Sequence, residues 1–280
     1  MRKINWIIKQ AKKNPKKIVL PETDDERVVE AAKRIKKEGI ADLVPVEYSD
    51  ADKKDPLYSA AMMVRNGAAH GFVAGANHMT KDVVRVAMKY LGIDHSVGVV
   101  SGAFLMEIED CAYGEDGFFI FADCGVIPTP SPKQLARIAI SSGSFLKSLF
   151  DIEPRIAFLS YSSKGSAEGE SITRAREAVD IVKKKKPDFI VDGELQFDAA
   201  IIPEVQKRKA PASPLAGRAN VLIFPNLDAG NITYKALERL GRARAIGPAL
   251  LGLNRPCSDL SRGCSVDDIV ASVALTVVRK

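Results

Sequence analysis

The sequence predicts an α/β protein built on mostly parallel sheets with helices on both faces. Three observations predict it. Apolar runs of strand length, rich in Val, Ile and Phe, recur from "KIVLPE" at residue 17 to "ARAIGPALLG" at residue 243. Amphipathic stretches of helical period fall between most of them. Most of the runs end in small, polar, glycine-containing segments, which is where ligands gather in open α/β sheets.

Taken in order, "KIVLPE" reads as a strand, and "DDERVVEAAKRIKKEG" as a helix with apolar positions at Val28, Val29, Ala32 and Ile35. "ADLVPVE" is the next strand, followed by a polar connector, "YSDADKKDP". The strand series continues through "GFVAGA", "VGVVSGAFLMEI", "FFIFAD", "RIAFLSYS", "DFIVDGELQ", "NVLIFPN" and "ARAIGPALLG". "SPKQLARIAISSGSFLKSLF" and "SITRAREAVDIVKKKK" carry the helical period between them. In "AYGEDGFFIFAD", Gly and Asp precede a second strand-like run, which predicts a local antiparallel excursion. The last run, "IVASVALTVV", is apolar on all sides and predicts a buried helix.

Composition narrows the function classes. The 280 residues suffice for one large or two ordinary domains. Aromatic residues make up 6% of the chain, with Trp6 the one tryptophan, so base stacking on nucleic acid is disfavoured. The net charge of +6 sits partly in "KKNPKK" and "KKKKP", which read as solvated helix ends, and the surplus suits an anionic small molecule. No apolar run approaches the roughly 20 residues that cross a bilayer. Cys111, Cys124, Cys257 and Cys264 show neither a CxxC pair nor His–Cys ligand spacing. That pattern predicts no zinc site and no disulfide framework, and it suits a reducing cytoplasm. His70, His78 and His95 have no triad or metal spacing and read as surface or hydrogen-bonded residues.

Two polar stretches carry candidate chemistry. In "SYSSKGSAEG" a strand ends, a glycine opens the turn and a helix begins; Lys164 with the amides of Gly165 and Ser166 would hold a phosphate. An ordinary strand–helix turn with a serine cap explains the same residues equally well. In "SDLSRGCSVDDIV", Ser265 and Asp268 have capping-box spacing ahead of the apolar helix. Beside them Arg262, next to Ser261 and Gly263, calls for an anionic partner: Asp259 in a structural role, or a bound phosphate in a functional one. Arg27 and Arg85 taken alone read as solvated arginines and Cys111 as a plain thiol, while Asp123 faces either a helix N-terminus or a ligand.

Together with "LPETDDERVVEAA", "GFVAGANHMTKDVVRVAM", "FADCGVIPTPSPKQLARIAI", "DGELQFDAAIIPEV", "KAPASPLAGRANVLIFPNLDAGNITYKALERL" and "AIGPALLGL", these stretches make a chain that resembles the phosphate acetyltransferase (phosphotransacetylase) family over nearly its whole length. The resemblance implies two α/β domains, similar to isocitrate and isopropylmalate dehydrogenases, with the active site in the cleft between them. Residues 1–108 plus 254–280 would form one domain, and 109–253 the other, through which a homodimer would assemble. It implies reversible transfer of an acetyl group between acetyl-CoA and phosphate through a ternary complex, giving acetyl phosphate and CoA. No permanently bound cofactor and no metal is expected. The catalytic positions that match are Asp268, as base for the CoA thiol, with Arg262 and Ser261. Arg27, Arg85 and Cys111 match further active-site positions, and Lys164, Gly165, Ser166 and Asn231 complete the expected substrate-binding set. Two departures stand out. The chain is several tens of residues shorter than the family, with the gap near residues 46–58, and the family's "FPDLNAGN" reads "FPNLDAGN" here.

The chemistry sets its own demand. A thiol with a pKa near 8.5 is only about 3% thiolate at pH 7. An ordinary aspartate lies roughly 4–5 units below it, about 6 kcal/mol of mismatch. Either desolvation of the carboxyl or a guanidinium beside the sulfur would narrow the gap, and arginines would stabilise the oxyanion and the departing phosphate. Transfer of propionyl or butyryl groups, or a non-catalytic CoA or acyl-phosphate sensor, would use the same motifs.

Overall fold

In the computed structural model, which describes residues 2–48, 55–186 and 188–279, the chain divides into two units. Most of the polar connector, residues 49–54, lies outside the described residues. The first unit is Met1–Val100 with Ile246–Lys280, and the second is Ser101–Ala245. The sequence reading placed the crossings at 108/109 and 253/254.

The first unit opens with α1 (Lys3–Lys13), β1 (Lys17–Val19), α2 (Glu26–Glu38), β2 (Asp42–Val44), α3 (Pro56–Arg65), β3 (Gly71–Ala74) and α4 (Thr80–Leu91). Local chemistry sets the helix ends. Asp25 accepts from the amides of Arg27 and Val28 and starts α2, and Gly39 at φ +64° ends it. Asp55 does the same for α3, with Pro56 at the first helical position.

The second unit runs β4 (Ser101–Glu107), β5 (Phe118–Ala122), α5 (Pro132–Phe150), β6 (Arg155–Leu159), α6 (Glu170–Lys185), β7 (Ile190–Leu195), α7 (Phe197–Ile201), α8 (Pro203–Lys209), β8 (Val221–Ile223) and α9 (Leu227–Arg239). Its strands lie in the order β4-β5-β8-β6-β7. β4 and β5 are antiparallel, with Leu105 opposite Ile120, while β5–β8, β8–β6 and β6–β7 are parallel. The antiparallel pair is the excursion predicted from "AYGEDGFFIFAD". Alternating side chains divide between two faces: Phe119, Phe121, Leu159 and Leu222 join a buried cluster with Phe104 and Tyr234, whose rings stack at 4.0 Å. Phe118, on the other face, meets Phe150 of α5 edge-on.

The chain then returns through β9 (Arg244–Leu251), β10 (Cys257–Asp259) and α10 (Val266–Val278) to complete the first unit. There the order is β2-β1-β3-β10-β9, parallel except for the β10–β9 pair. β10 was not foreseen: "CSD" is short and polar, yet all three residues are buried. Residues 269–277 of α10 are buried throughout, as the all-apolar run predicts, and α10 packs on α1, α2 and β3. Gly71 permits that approach, because a Cβ there would stand 2.7 Å from Thr276 Cγ2 and 2.6 Å from the Pro256 carbonyl. Buried Arg279 closes the unit, donating to the carbonyls of Leu250 and Cys257 at 2.6 and 2.7 Å; burial pulls its pKa down to about 10. The mostly parallel α/β fold class is thus the one observed.

Candidate active site

Three strand ends of the first unit and the turn before α10 form one hydrogen-bonded assembly. After β1 comes Glu22, 1% exposed. Its Oε2 accepts from the amides of Gly75 and Ala76, both at 2.9 Å, and its Oε1 from those of Asn77 and His78, both at 2.8 Å. His78 Nδ1 meets the same Oε1 at 2.8 Å. One carboxylate therefore fills a nest of four successive amides after β3.

Arg27, in the first turn of α2, ties that loop to the turn before α10. Its Nε and Nη2 bond the two oxygens of Asp25 at 3.1 and 2.7 Å. Nη2 also donates to the Ala76 carbonyl at 3.0 Å, and Nη1 to the carbonyls of Arg262 and Cys264 at 2.8 and 3.0 Å. All five guanidinium N–H groups thus meet protein acceptors. The fork raises the Arg27 pKa and lowers that of Asp25.

The turn so held carries the expected catalytic residues. Ser261 is half-buried, and its Oγ accepts weakly from the Gly263 amide at 3.4 Å. The side chain of Arg262 is exposed and has no ion-pair partner among the described residues. Asp259, considered above as its structural partner, instead accepts from Thr80 Oγ1 at 2.6 Å, and its Oδ1 is buried without a partner. Burial raises the Asp259 carboxyl to about 7 against the pull of Thr80 and the Leu260 amide, with Glu22 adding to the rise. The capping box is present: Asp268 Oδ2 accepts from the amide and hydroxyl of Ser265 at 2.8 Å each, and Ser265 Oγ accepts from the Asp268 amide. Asp268 Oδ1 has no hydrogen bond among the described residues, so half of this carboxylate stays open. Cys264 is buried; desolvation, opposed by Arg27, pushes its thiol up to about 11, which makes it a poor nucleophile. Arg85 lies outside this assembly: it is exposed on α4 and pairs with Asp82 at 2.9 Å.

The remaining expected residues belong to the second unit. The amide of Gly165, which the sequence reading offered to a phosphate, donates to Glu194 Oε1 at 2.8 Å. Ser162 Oγ donates to the same oxygen, and Arg176 grips the carboxylate with Nε and Nη2 at 2.8 and 3.0 Å. Burial works to raise the Glu194 pKa, but Arg176, the Gly165 amide and Ser162 outweigh it and hold it at about 2. Lys164 is paired with Asp192 and also donates to the Gly193 carbonyl at 3.2 Å. Ser166 Oγ accepts from the Ser163 amide at 3.0 Å. The turn is therefore filled by the protein's own carboxylate. Asp123 plays the same part after β5, taking the amides of Gly102, Gly125, Val126 and Ile127. Asn231 donates to the Cys124 carbonyl at 3.3 Å, and Cys111 is half-buried. Asn226, one of the two exchanged residues, caps α9 by accepting from the Ala229 amide at 2.9 Å, a task Asn and Asp perform alike.

Glu22, Asp25, Arg176 and Glu194 have no role assigned from the sequence, and His78 reads there only as a surface or hydrogen-bonded residue. The strand-end segments that contain four of these five were singled out, because of their small polar composition. What spacing does not reveal is which carboxylate fills which nest.

Comparison with known proteins shows the family of the chain. The family described as phosphate acetyl/butaryl transferase matches residues 3–54 and 46–277, two pieces that overlap over 46–54, mostly in the polar connector. The phosphate acetyltransferase of Thermoanaerobacterium thermosaccharolyticum is 43% identical over 323 aligned positions, covering 99% of this chain and 98% of the relative. The Paracoccus denitrificans phosphate acetyltransferase is 40% identical over 318 positions, covering 100% and 99%. Both alignments are longer than this chain, so the relatives carry residues it lacks. A phosphotransacetylase from Streptococcus pyogenes has a similar structure, with a TM-score of 0.88 at 36% identity, over 99% of this chain and 97% of that one. Matched from end to end at this level, with the motif-bearing turn held in place by its own arginine, the chain belongs to the phosphate acetyl/butaryl transferase family.

Proposed function

We propose that the protein is an acyltransferase that moves an acetyl group reversibly between coenzyme A and phosphate within a ternary complex. One observation carries the reading: Arg262, an exposed guanidinium with no ion-pair partner among the described residues, is six residues before Asp268, a carboxylate with one oxygen that has no hydrogen bond among the described residues. A phosphate or acyl phosphate supplies the missing anion, and the open Asp268 oxygen receives the thiol proton. As sulfur attacks the acetyl carbonyl, Arg262 meets the charge that develops on oxygen and on the departing phosphate. Ser261 donates its hydroxyl beside it. Arg27, whose N–H groups are occupied, contributes by holding the turn. Arg85 would exchange Asp82 for a substrate anion, and Cys111, Lys164, Gly165, Ser166 and Asn231 are the further substrate-binding positions of this proposal.

The experiment mixes protein, acetyl-CoA and phosphate and follows free thiol with a chromogenic disulfide. Phosphate-dependent release is expected, and its absence overturns the reading. Butyryl-CoA in place of acetyl-CoA tests acyl length. The proposal extends to a cytoplasmic homodimer. Unpaired cysteines support the compartment. Sedimentation at twice the chain mass is the expected result.

A further inference from the structure

Glu22 holds more than a loop. Four backbone amides already satisfy most of its acceptor capacity and fix the chain from Gly75 to His78. The fifth bond, from His78 Nδ1, adds little to that purpose, yet it fixes an imidazole. Both Glu22 oxygens already accept two amides each, so the hydrogen of the His78 contact lies on Nδ1, and Nε2 is the nitrogen left to exchange a proton with whatever faces it. His78 Nε2 has no hydrogen-bond partner among the described residues, and the side chain is 30% exposed. A buried carboxylate that orients an imidazole whose far nitrogen is open is the arrangement of an oriented proton donor or acceptor.

Its location is also set. Arg27 donates both to the Ala76 carbonyl, two residues before His78, and to the Arg262 carbonyl. The His78 loop and the Arg262 turn thus share a single guanidinium.

We propose that His78 is a further catalytic residue, positioned by Glu22, that gives its Nε2 proton to the departing phosphate. The proposal rests on the acetyl-transfer reading above. In the direction that makes acetyl-CoA, the sulfur–carbon bond forms and the bond between the acetyl carbon and the phosphate oxygen breaks. The thiol proton goes to Asp268. The oxygen that leaves with the electron pair takes the proton from His78 Nε2 and departs as hydrogenphosphate, and both side chains re-equilibrate with water. In reverse, the neutral Nε2 takes a proton from hydrogenphosphate as that oxygen attacks the acetyl carbonyl.

His78→Asn isolates the effect, because its amide nitrogen occupies the place of Nδ1 and keeps the Glu22 bond while Nε2 is lost. The expected result is a kcat lower by about 100-fold or more, with the KM for CoA within twofold of wild type and an unchanged melting temperature. His78→Gln, whose amide reaches the Nε2 position but carries no transferable proton, is expected to be equally slow. An active wild type with either folded variant within threefold of its kcat overturns this proposal alone. A wild type with no phosphate-dependent thiol release overturns both this proposal and the reading beneath it.

Discussion

At the scale of single residues, buried carboxylates do the organising. Glu22 and Asp123 each collect four amides where other proteins would bind a phosphate, and Glu194 takes the Gly165 amide, the Ser162 hydroxyl and the Arg176 guanidinium, so these strand ends arrive preformed. Arg27 is their cationic counterpart. Arg27→Lys keeps the charge but has three donors in place of a fixed fork of five. It should lower kcat/KM by about tenfold or more, because the turn carrying Arg262 is no longer fixed; a value within twofold of wild type would show that the turn holds itself. Thiol reactivity follows burial. Cys124 and Cys257 are pushed well above the usual thiol range by desolvation and Cys264 to about 11, whereas Cys111 is half-buried. Brief alkylation with iodoacetamide at pH 7.5, read by peptide mass, should mark Cys111 first; earlier labelling of Cys264 would contradict the burial account.

At the scale of elements, α10 is buried and packs on α1, α2 and β3. Its closeness to β3 depends on Gly71. Gly71→Ala should cost about 1–3 kcal/mol through forced displacement of α10, read as a lower urea midpoint; an unchanged midpoint would mean that the contact relaxes freely. The all-apolar run made α10 legible in the sequence, and the alternation of apolar runs with helical periods made β1 through β9 legible. β10 was hidden because Ser258 and Asp259 are buried polar residues. Ser258 bonds Thr276 of α10 and Asp259 bonds Thr80 of α4, pairings that no local pattern announces. The candidate site was readable to the same extent. The turn from Ser261 to Asp268 shows its residues openly, whereas Glu22–His78 and Asp25–Arg27 depend on long-range geometry for their meaning.

At the scale of the whole molecule, the buried carboxyls make stability depend on acidity in two windows. Glu194 is held at about 2 in the fold, below the usual carboxyl range. Its contribution is present above about pH 4.5 and is lost as pH falls toward 2. Asp259 has the opposite sign: raised to about 7, it favours the folded state most below about pH 4, and that contribution is lost as pH rises through 7. Asp259→Asn should therefore flatten the fall in stability between pH 4.5 and 7.5, by up to about 4 kcal/mol relative to wild type; parallel urea-midpoint curves for the two proteins would contradict it. The chain performs all this with fewer residues than its relatives, and the break in the family match lies in the connector after β2 rather than in any strand end of the candidate site. The central claim, that the open carboxylate of Asp268 receives the thiol proton, is tested most directly by the turnover of Asp268→Asn with acetyl phosphate and CoA. The account predicts a kcat lower by about 100-fold or more with CoA affinity preserved; a variant that turns over like the wild type would contradict it.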